Sequence, residues 1–249
     1  MGSLTCNLLT DWIQWNSEVT YYASNTPEVG PVLKPGLAES TQGRIFLKGM
    51  KRPAHRPKSD RQLIQIVDAS LATNAVLCGD FLVCKPGCCR CCVGVFEISQ
   101  LDAVRLGEGL VELEKTDPER AKAVRRRAAE SRERLLGDFP GNANTGILNG
   151  TEKSFEDFAN DEPCPALDAK TGMCDLYAHR PMTCRVFGPP VRSAAGLGIC
   201  ELCFVGASDE DIARCELEAD PTDMESKVTQ EVERNFGRRG RTIVAWAIE

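Results

Sequence analysis

The sequence predicts a mainly α-helical fold with a small β-hairpin and irregular cysteine-rich loops, in one metal-stabilised domain. Two observations predict this fold class. Apolar residues recur at helical spacing in several segments between residues 59 and 236, whereas the strand-like segments are short. Ten of the thirteen cysteines fall into three clusters, within 84–92, 164–184 and 200–203. Such clusters favour a domain whose folding is coupled to metal binding.

The composition bounds the class of protein. The 249 residues are 42% hydrophobic and carry a net charge of −6, from 30 basic and 36 acidic side chains. This apolar content is sufficient for a folded core, so general disorder is excluded. No run approaches the roughly 18 apolar residues of a membrane-spanning helix. The first residues lack the features of a secretory signal, so we expect a cytoplasmic protein without membrane contact.

Residues 1–60 are predicted to form a flexible basic arm, followed by a cysteine-cluster metal-binding domain over 61–249. The region from 44 to 61 contains seven basic residues: Arg44, Lys48, Lys51, Arg52, Arg56, Lys58 and Arg61. Such a charged segment can contact nucleic acid. Because few aromatic residues accompany the charges, a solvated linker is the favoured interpretation. Nucleic acid is therefore not expected as a partner, whereas a protein partner of unknown identity is.

Two helices are predicted around the first cysteine cluster. The first begins with a capping box of Ser59 and Gln62, and its apolar face carries Leu63, Val67 and Leu71. The second begins at Ser99, where Ser99 and Asp102 form the capping box. Its helical pattern weakens at Gly107 and Gly109.

A third helix is predicted to start at Asp117-Pro118 and to stop at Gly137. Its narrow apolar stripe consists of Ala121, Val124, Ala128 and Leu135. The opposite face carries Arg126, Glu130 and Arg134 at a spacing suited to i,i+4 ion pairs. We expect this face to be solvated.

The second half of the chain is predicted to contain shorter elements. Residues 138–152 form a loop, and 164–177 form two short strands around a turn that ends at Gly172. Arg180-Pro181 then opens a helical turn through Cys184.

Two acidic helices follow, the first capped by Ser208 and Asp211 and the second started by Asp220-Pro221. The second carries an apolar stripe of Met224, Val228, Val232 and Phe236. Residues 242–248 are predicted to add an edge strand.

The cysteines indicate a metal site and not a disulfide framework. Their number is odd, no export signal is recognised, and the cytosol keeps thiols reduced. Histidine occurs only twice, at His55 and His179, so a site with several ligands must be mainly thiolate. Thiolates select zinc, Cu(I) or iron–sulfur clusters. His179 itself is expected to be an exposed side chain and not a ligand.

The candidate ligands come from three segments of the chain. Cys84, Cys88, Cys91 and Cys92 share one tight loop with Pro86 and Gly87, and the vicinal pair Cys91–Cys92 is expected to point in two directions. The predicted hairpin and helical turn can bring Cys164, Cys174 and Cys184 to one side. Cys200-x-x-Cys203 has the spacing of a metal knuckle. Arg180 and Arg185 could donate hydrogen bonds to the sulfurs or neutralise an anionic cluster; a surface salt bridge is the alternative.

These motifs resemble those of a known family. The residues that carry the resemblance are Cys88-Cys89-Arg90-Cys91-Cys92, Cys164-Pro165-Ala166-Leu167, Gly172-Met173-Cys174-Asp175-Leu176-Tyr177, Arg180-Pro181 and Cys184-Arg185-Val186-Phe187. Over about 84–204 the chain is similar to the putative zinc- or iron-chelating cysteine-cluster family. This is the YkgJ-like family, which also includes flagellin lysine N-methylase.

The resemblance implies an iron–sulfur or zinc centre. Its implied ligands are Cys84, Cys88, Cys91, Cys92, Cys164, Cys174, Cys184 and one of Cys200 or Cys203. The family usually has two residues between its first two cysteines, whereas three separate Cys84 from Cys88 here, and Cys89 is an additional cysteine. The roles of Cys84 and Cys89 therefore stay open.

Three functions are compatible with these residues. The favoured one is a non-catalytic metal or iron–sulfur protein that acts in electron transfer, in metal handling or as a metal-stapled adaptor. The second, which rests on analogy alone, is a protein-lysine N-methylase-like enzyme that uses S-adenosylmethionine. The third is a radical S-adenosylmethionine enzyme, because Cys84, Cys88 and Cys91 have the CxxxCxxC spacing. Arg90 stands where that class has an aromatic residue, and no catalytic residue is indicated.

Overall fold

The computed structural model describes residues 56–85, 87–150, 155, 157–193 and 196–248. Most of the predicted basic arm lies outside the described residues, as do Pro86 and one of the two histidines, His55. The flexible arm over 1–60 and the domain boundary at 61 therefore stay predictions.

Helices dominate the described residues. Three long helices come first: α1 (Lys58–Cys78), α2 (Gln100–Thr116) and α3 (Pro118–Leu135). They are followed by α4 (Met182–Val186), α5 (Asp209–Arg214), α6 (Met224–Phe236) and α7 (Val244–Ala247). The mainly α-helical class is thus confirmed. No helix in the described ranges combines the length and the apolar character needed to cross a bilayer.

The strands form two-stranded antiparallel hairpins. These are β1 (Gly141–Asn142) with β2 (Ile147–Leu148), β3 (Leu167–Asp168) with β4 (Met173–Cys174), and β5 (Val191–Ser193) with β6 (Gly196–Gly198). The β3–β4 hairpin is the predicted one. The prediction of a plain loop over 138–152 is wrong, because β1 and β2 pair there. The β5–β6 hairpin was not predicted.

The helix caps follow the sequence signals at α2, α3 and α5 and differ from them at α1. Ser99 and Asp102 form a reciprocal capping box at α2, as Ser208 and Asp211 do at α5. At α3 the Asp117 side chain accepts from the backbone N–H of Arg120. At α1 the prediction is wrong: Pro57 precedes the helix and no side chain caps it, so Ser59 lies inside the first turn.

Three further boundaries differ from the prediction. Helix α2 continues through both of its glycines without a break. Helix α6 begins at Met224 instead of Pro221, because the Asp220 carboxylate accepts from the backbone N–H groups of Met224 and Glu225, at 2.9 and 2.7 Å. The predicted edge strand over 242–248 is a bridge at Thr242, which pairs with Ile98, followed by helix α7.

The main core lies between α2, α3 and α7 and supports the β3–β4 hairpin. Three residues of the predicted α3 stripe are buried there, with Val124 and Ala128 fully inaccessible, whereas the fourth, Leu135, packs in a neighbouring cluster. Two half-buried cysteines, Cys164 and Cys174, pack against this core. Burial of the helix stripes therefore also holds one side of the cysteine-rich region in place.

A buried ionic network joins the helices behind this core. The Arg105 guanidinium is fully buried and binds Asp60 at 2.5 Å and Asp102 at 2.6 Å. Asp102 also accepts from the backbone N–H of Met182, at 2.9 Å, so it caps the helix that carries Cys184. Arg56 binds Asp60 and Glu108, which corrects the interpretation of Arg56 as part of a solvated linker.

Candidate metal centre

No disulfide joins the twelve cysteines of the described residues, and most of them are half-buried. Charge interactions among the sulfurs group nine of them into two neighbouring sets, and Cys91 of the first set also acts on Cys84 of the second. The hairpin thiols are Cys91, Cys92, Cys164, Cys174 and Cys184. The knuckle thiols are Cys84, Cys88, Cys200 and Cys203. All nine predicted metal ligands therefore lie in one or the other set, and whether they bind metal stays a prediction.

Backbone contacts bring the hairpin thiols together from distant parts of the chain. Cys91 and Cys92 lie on a short 3-10 turn, Arg90–Cys92. The carbonyl of Cys92 accepts from the backbone N–H of Cys164 at 2.8 Å, and Val93 forms a bridge with Pro163. Cross-strand pairing then sets Cys174 opposite Leu167.

Helix α4 supplies the fifth hairpin thiol, Cys184. Its charge interactions reach Cys164, Cys91 and Cys174, so three chain segments contribute to one set. The side chains of vicinal Cys91 and Cys92 interact with each other, and whether the two sulfurs serve different sites stays a prediction.

Several sulfurs accept backbone hydrogen bonds. Cys164 accepts from the N–H groups of Ala166 and Leu167, and Cys174 accepts from that of Leu176. In the knuckle set, the Cys203 sulfur accepts from the N–H groups of Val83 and Cys84. Hydrogen bonds of this kind stabilise the thiolate form, which is the form that binds metal.

Burial and crowding determine the protonation of the hairpin thiols. Burial raises the pKa of Cys164 to about 12, and the neighbouring Cys174 raises it further. Burial also raises the pKa of Cys174 and that of Cys184. The hydrogen bond from Cys92 lowers the pKa of Cys91 to about 7 and correspondingly raises that of Cys92. A bound cation would relieve the repulsion that disfavours several thiolates at once.

The knuckle thiols converge where the first loop meets Cys200–Cys203. The backbone N–H of Cys203 donates to the carbonyl of Cys200 at 2.9 Å, which closes the knuckle turn. Gly188 packs so closely on Cys84 that a Cβ at this glycine would lie 3.2 Å from the Cys84 Cβ. Burial raises the pKa of Cys84 to about 12, and the Cys88 thiol adds to this effect.

A cavity of about 840 Å³ adjoins the knuckle. Cys200 and Gly188 line one side of it, and Asp220 and Glu225, from the first turn of α6 and the residues before it, line another. Cys200 is thus a knuckle thiol that borders the cavity.

The two predicted arginines occupy different environments. Arg180 lies near Cys91 and Cys174, and its charge favours the thiolate form of both. Its guanidinium also stacks on the Tyr177 ring, 4.0 Å from the centroid. Arg185 is buried and binds Asp68 at 2.6 Å and the carbonyl of Ala178 at 2.7 Å. Its salt bridge thus joins a buried guanidinium to a half-exposed carboxylate, and of these two arginines Arg180 is the one whose charge acts on the sulfurs.

His179 is not the exposed side chain that the sequence suggested. Its Nε2 lies 2.9 Å from a Glu112 carboxylate oxygen, and its ring packs on Gly109 of α2. His179 therefore serves to join the segment between Cys174 and Cys184 to α2.

Sequence reasoning missed a second pair of thiols beside the knuckle. Cys78 and Cys215 are both buried and interact with each other, and they share an apolar cluster with Cys200, Cys203 and Phe204. The Cys78 thiol also donates to the Asn74 side-chain carbonyl at 3.3 Å. Their separation of more than a hundred residues gave no signal of this contact. Burial raises the pKa of Cys78 to about 12, so this thiol is protonated and suited to packing.

The donor set agrees with zinc or iron in its chemistry. Every candidate ligand is a thiol, and thiolates select these metals over magnesium and calcium. Within the described ranges no three His, Cys, Asp or Glu side chains already stand in metal-binding geometry. Ligation would therefore draw the sulfurs of a set closer together than they stand.

The comparisons with known proteins agree with this chemistry. Residues 83–203 match the family model CxxCxxCC, described as a putative zinc- or iron-chelating domain. The matched segment includes all nine predicted ligands and excludes Cys78 and Cys215. No curated protein and no solved structure matches the chain.

Proposed function

Because residues 83–203 of this chain belong to the CxxCxxCC family of putative zinc- or iron-chelating domains, we propose that the protein holds zinc or iron through cysteine thiolates. The observation that carries the proposal is the convergence of the hairpin thiols from three segments. Five cysteines lie on neighbouring segments, two of them packed against the helical core, and at least two of the sulfurs accept backbone hydrogen bonds. Buried apolar packing alone does not require such hydrogen bonds to sulfur.

The finer proposal is an iron–sulfur cluster that serves electron transfer. Three features support it: five thiols in one set, their partly buried position, and the positive charge of Arg180 near Cys91 and Cys174. Charge, hydrogen bonds to sulfur and solvent exposure are the means by which proteins tune the potential of such clusters. When bound, a cluster would supply one-electron transfer. A zinc ion in the same place would instead give a metal-stapled fold.

The first test is the metal content of protein prepared without oxygen. We expect zinc or iron bound to the purified chain, and iron with acid-labile sulfide if the finer proposal holds. Visible absorption and electron paramagnetic resonance distinguish the two metals. A chain that binds neither metal, when both are supplied under reducing conditions, contradicts the proposal.

The ligand assignment is tested by two substitutions. Cys174→Ser removes a hairpin thiol and is expected to lower the metal content and the thermal stability together, because metal binding is coupled to folding. Cys6→Ser is the control, since Cys6 lies outside the matched residues 83–203. A Cys174→Ser protein with full metal content and normal stability would exclude Cys174 as a ligand.

Addition of S-adenosylmethionine separates this function from the two methyl-donor alternatives. The described residues contain only two-stranded antiparallel sheets, and repeating strand–helix units are not among them. We therefore expect no binding of S-adenosylmethionine and no change in the spectrum. A spectral change on addition would favour an enzyme that uses this cofactor.

A further inference from the structure

Arg127 on helix α3 binds both segments that carry the hairpin thiols Cys164 and Cys174. Its Nε donates to the carbonyl of Pro165 at 2.8 Å, and its Nη2 donates to the Asp175 carboxylate at 2.6 Å. Asp175 is almost fully buried, with 3% of its side chain exposed. One guanidinium therefore binds two chain segments, one at Pro165 and the other at Asp175.

Both contacts fall directly beside candidate ligands. Pro165 follows Cys164 in the chain, and Asp175 follows Cys174. The backbone N–H of Asp175 also donates to the carbonyl of Ala166 at 2.7 Å, so the two segments are bound to each other where Arg127 holds them. A shift of either contact would move the backbone that carries a hairpin thiol.

The helix that carries Arg127 is anchored in the core. Arg127 lies on α3 between two core residues, Val124 and Ala128, whose side chains are fully buried. Arg120 of the same helix also binds Asp175, with its Nη2 at 2.6 Å. Arg120 binds only the carboxylate, whereas Arg127 binds the carboxylate and the Pro165 carbonyl together.

We infer that Arg127 is a positioning residue of the metal centre: it fixes the spacing of Cys164 and Cys174 by tying Pro165 and Asp175 to α3. This inference rests on the proposed metal-binding function. Residues that orient metal ligands without touching the metal typically change the metal affinity by about 10- to 100-fold when they are removed. The planar guanidinium matters, because the single ammonium of lysine lacks the rigid fork that serves both acceptors.

The experiment compares Arg127→Lys and Arg127→Ala with Arg126→Ala in the full-length chain. Arg126 is one residue away on the exposed face and has only a 3.7 Å ion pair with Glu130, so it is the matched control. Competition with a chromophoric chelator measures the affinity for Zn²⁺. We expect both Arg127 variants to bind Zn²⁺ about 10- to 100-fold more weakly and the control to bind as the wild type does.

A second readout does not depend on metal binding. In the chelated protein, the alkylation rates of individual cysteines are measured by mass spectrometry. We expect Arg127→Lys to accelerate alkylation of Cys164 and Cys174 and to leave that of Cys203 unchanged. If Arg127→Ala fails to fold, Arg127→Lys carries the test, because it keeps a positive charge beside Asp175.

The outcomes separate the two proposals. A wild-type chain that binds no zinc or iron refutes the proposed function, and the alkylation rates still show whether Arg127 positions the two cysteines. Wild-type Zn²⁺ affinity together with wild-type alkylation in Arg127→Lys overturns the inference. So does equal acceleration at Cys203, because that result shows general destabilisation and not local positioning.

Discussion

Single residues set the chemistry of the cysteine sets. Cys91 shows this most directly, because a hydrogen bond from Cys92 lowers its pKa to about 7 while burial acts in the opposite direction. The vicinal cysteines therefore differ in protonation, although they are adjacent in the chain. Arg180 adds to the difference because its positive charge also favours the Cys91 thiolate.

Gly109 offers a residue-scale test of how α2 packs on the cysteine-rich segment. An added Cβ there would lie 2.6 Å from the Cβ and Cγ of His179, so one of the two segments must move. We expect Gly109→Ala to destabilise the protein by about 1–3 kcal/mol, as overpacking does, in chemical denaturation.

Gly107 is the matched control for this substitution. It lies in the same helix, and an added Cβ would meet no atom within 4 Å. Gly107→Ala should therefore stabilise the protein, by up to about 1 kcal/mol, through helix propensity. Equal effects at the two glycines would show that contact with His179 does not restrict position 109.

At the scale of elements, the start of α6 depends on one carboxylate. Asp220 accepts from two backbone N–H groups of the first turn, although it lies three residues before Asp223, the residue that immediately precedes the helix. This arrangement satisfies donors that the helix itself leaves unpaired.

We expect Asp220→Ala to lower the free energy of unfolding by about 1 kcal/mol, the usual cost of a lost cap. Asp223→Asn is the control, because the Asp223 side chain makes no capping hydrogen bond and asparagine tolerates its left-handed backbone. Thermal unfolding by circular dichroism measures both. A larger loss in the control would place the cap at Asp223.

The elements differ in how far the sequence predicts them. The caps at Ser99 and Ser208 and the turn at Gly172 use local signals, and these were predicted correctly. The start of α6 was predicted incorrectly, because the Asp220 carboxylate accepts from backbone N–H groups beyond Pro221. The apolar residues of the tail after Thr242 predict a strand. In the structure these residues pack against α2 and α3 as a helix.

The same limit applies to the candidate site. The spacing of Cys200 and Cys203 and the turn before Cys174 could be read from the sequence. The contact between Cys78 and Cys215 and the reach of Arg127 to Asp175 could not, because each joins elements far apart in the chain. Side-chain contacts between such elements leave no periodic pattern in a single sequence.

Across the whole molecule, the buried network around Arg105 joins α1, α2, α4 and α6. Arg105 and Asp60 are fully buried, and each charge has its partners inside the protein. Glu225 reaches this network from α6, where its carboxylate oxygen lies 3.9 Å from Arg105. Burial and the nearby Asp102 raise the pKa of Glu225 to about 7, and Arg105 and Arg241 only partly oppose this effect.

This pKa predicts how stability depends on pH. The folded protein binds the Glu225 proton more tightly than the unfolded chain does, in which the pKa is about 4.3. The stability that Glu225 contributes by binding its proton is therefore fully present below about pH 4.3. It is lost as the pH rises through about 7.

Glu225→Gln should remove this part of the pH dependence and stabilise the protein at pH 8 by about 1 kcal/mol, allowing for the partial exposure of the side chain. Exposed Glu133 is the control, and Glu133→Gln should leave the slope unchanged. Urea unfolding between pH 5 and 8 measures both variants. An unaltered slope in Glu225→Gln would assign the pH dependence to other groups.

The pairing of Ile98 with Thr242 has a consequence for the order of synthesis. Asn74 likewise donates to the carbonyl of Cys215, and Arg132 donates to those of Ala245 and Ile248. A nascent chain on the ribosome cannot make these contacts until residues 242–248 have emerged. The first cysteine loop is thus translated long before these segments can pack, and the fold is completed only after Ile248 has left the ribosome.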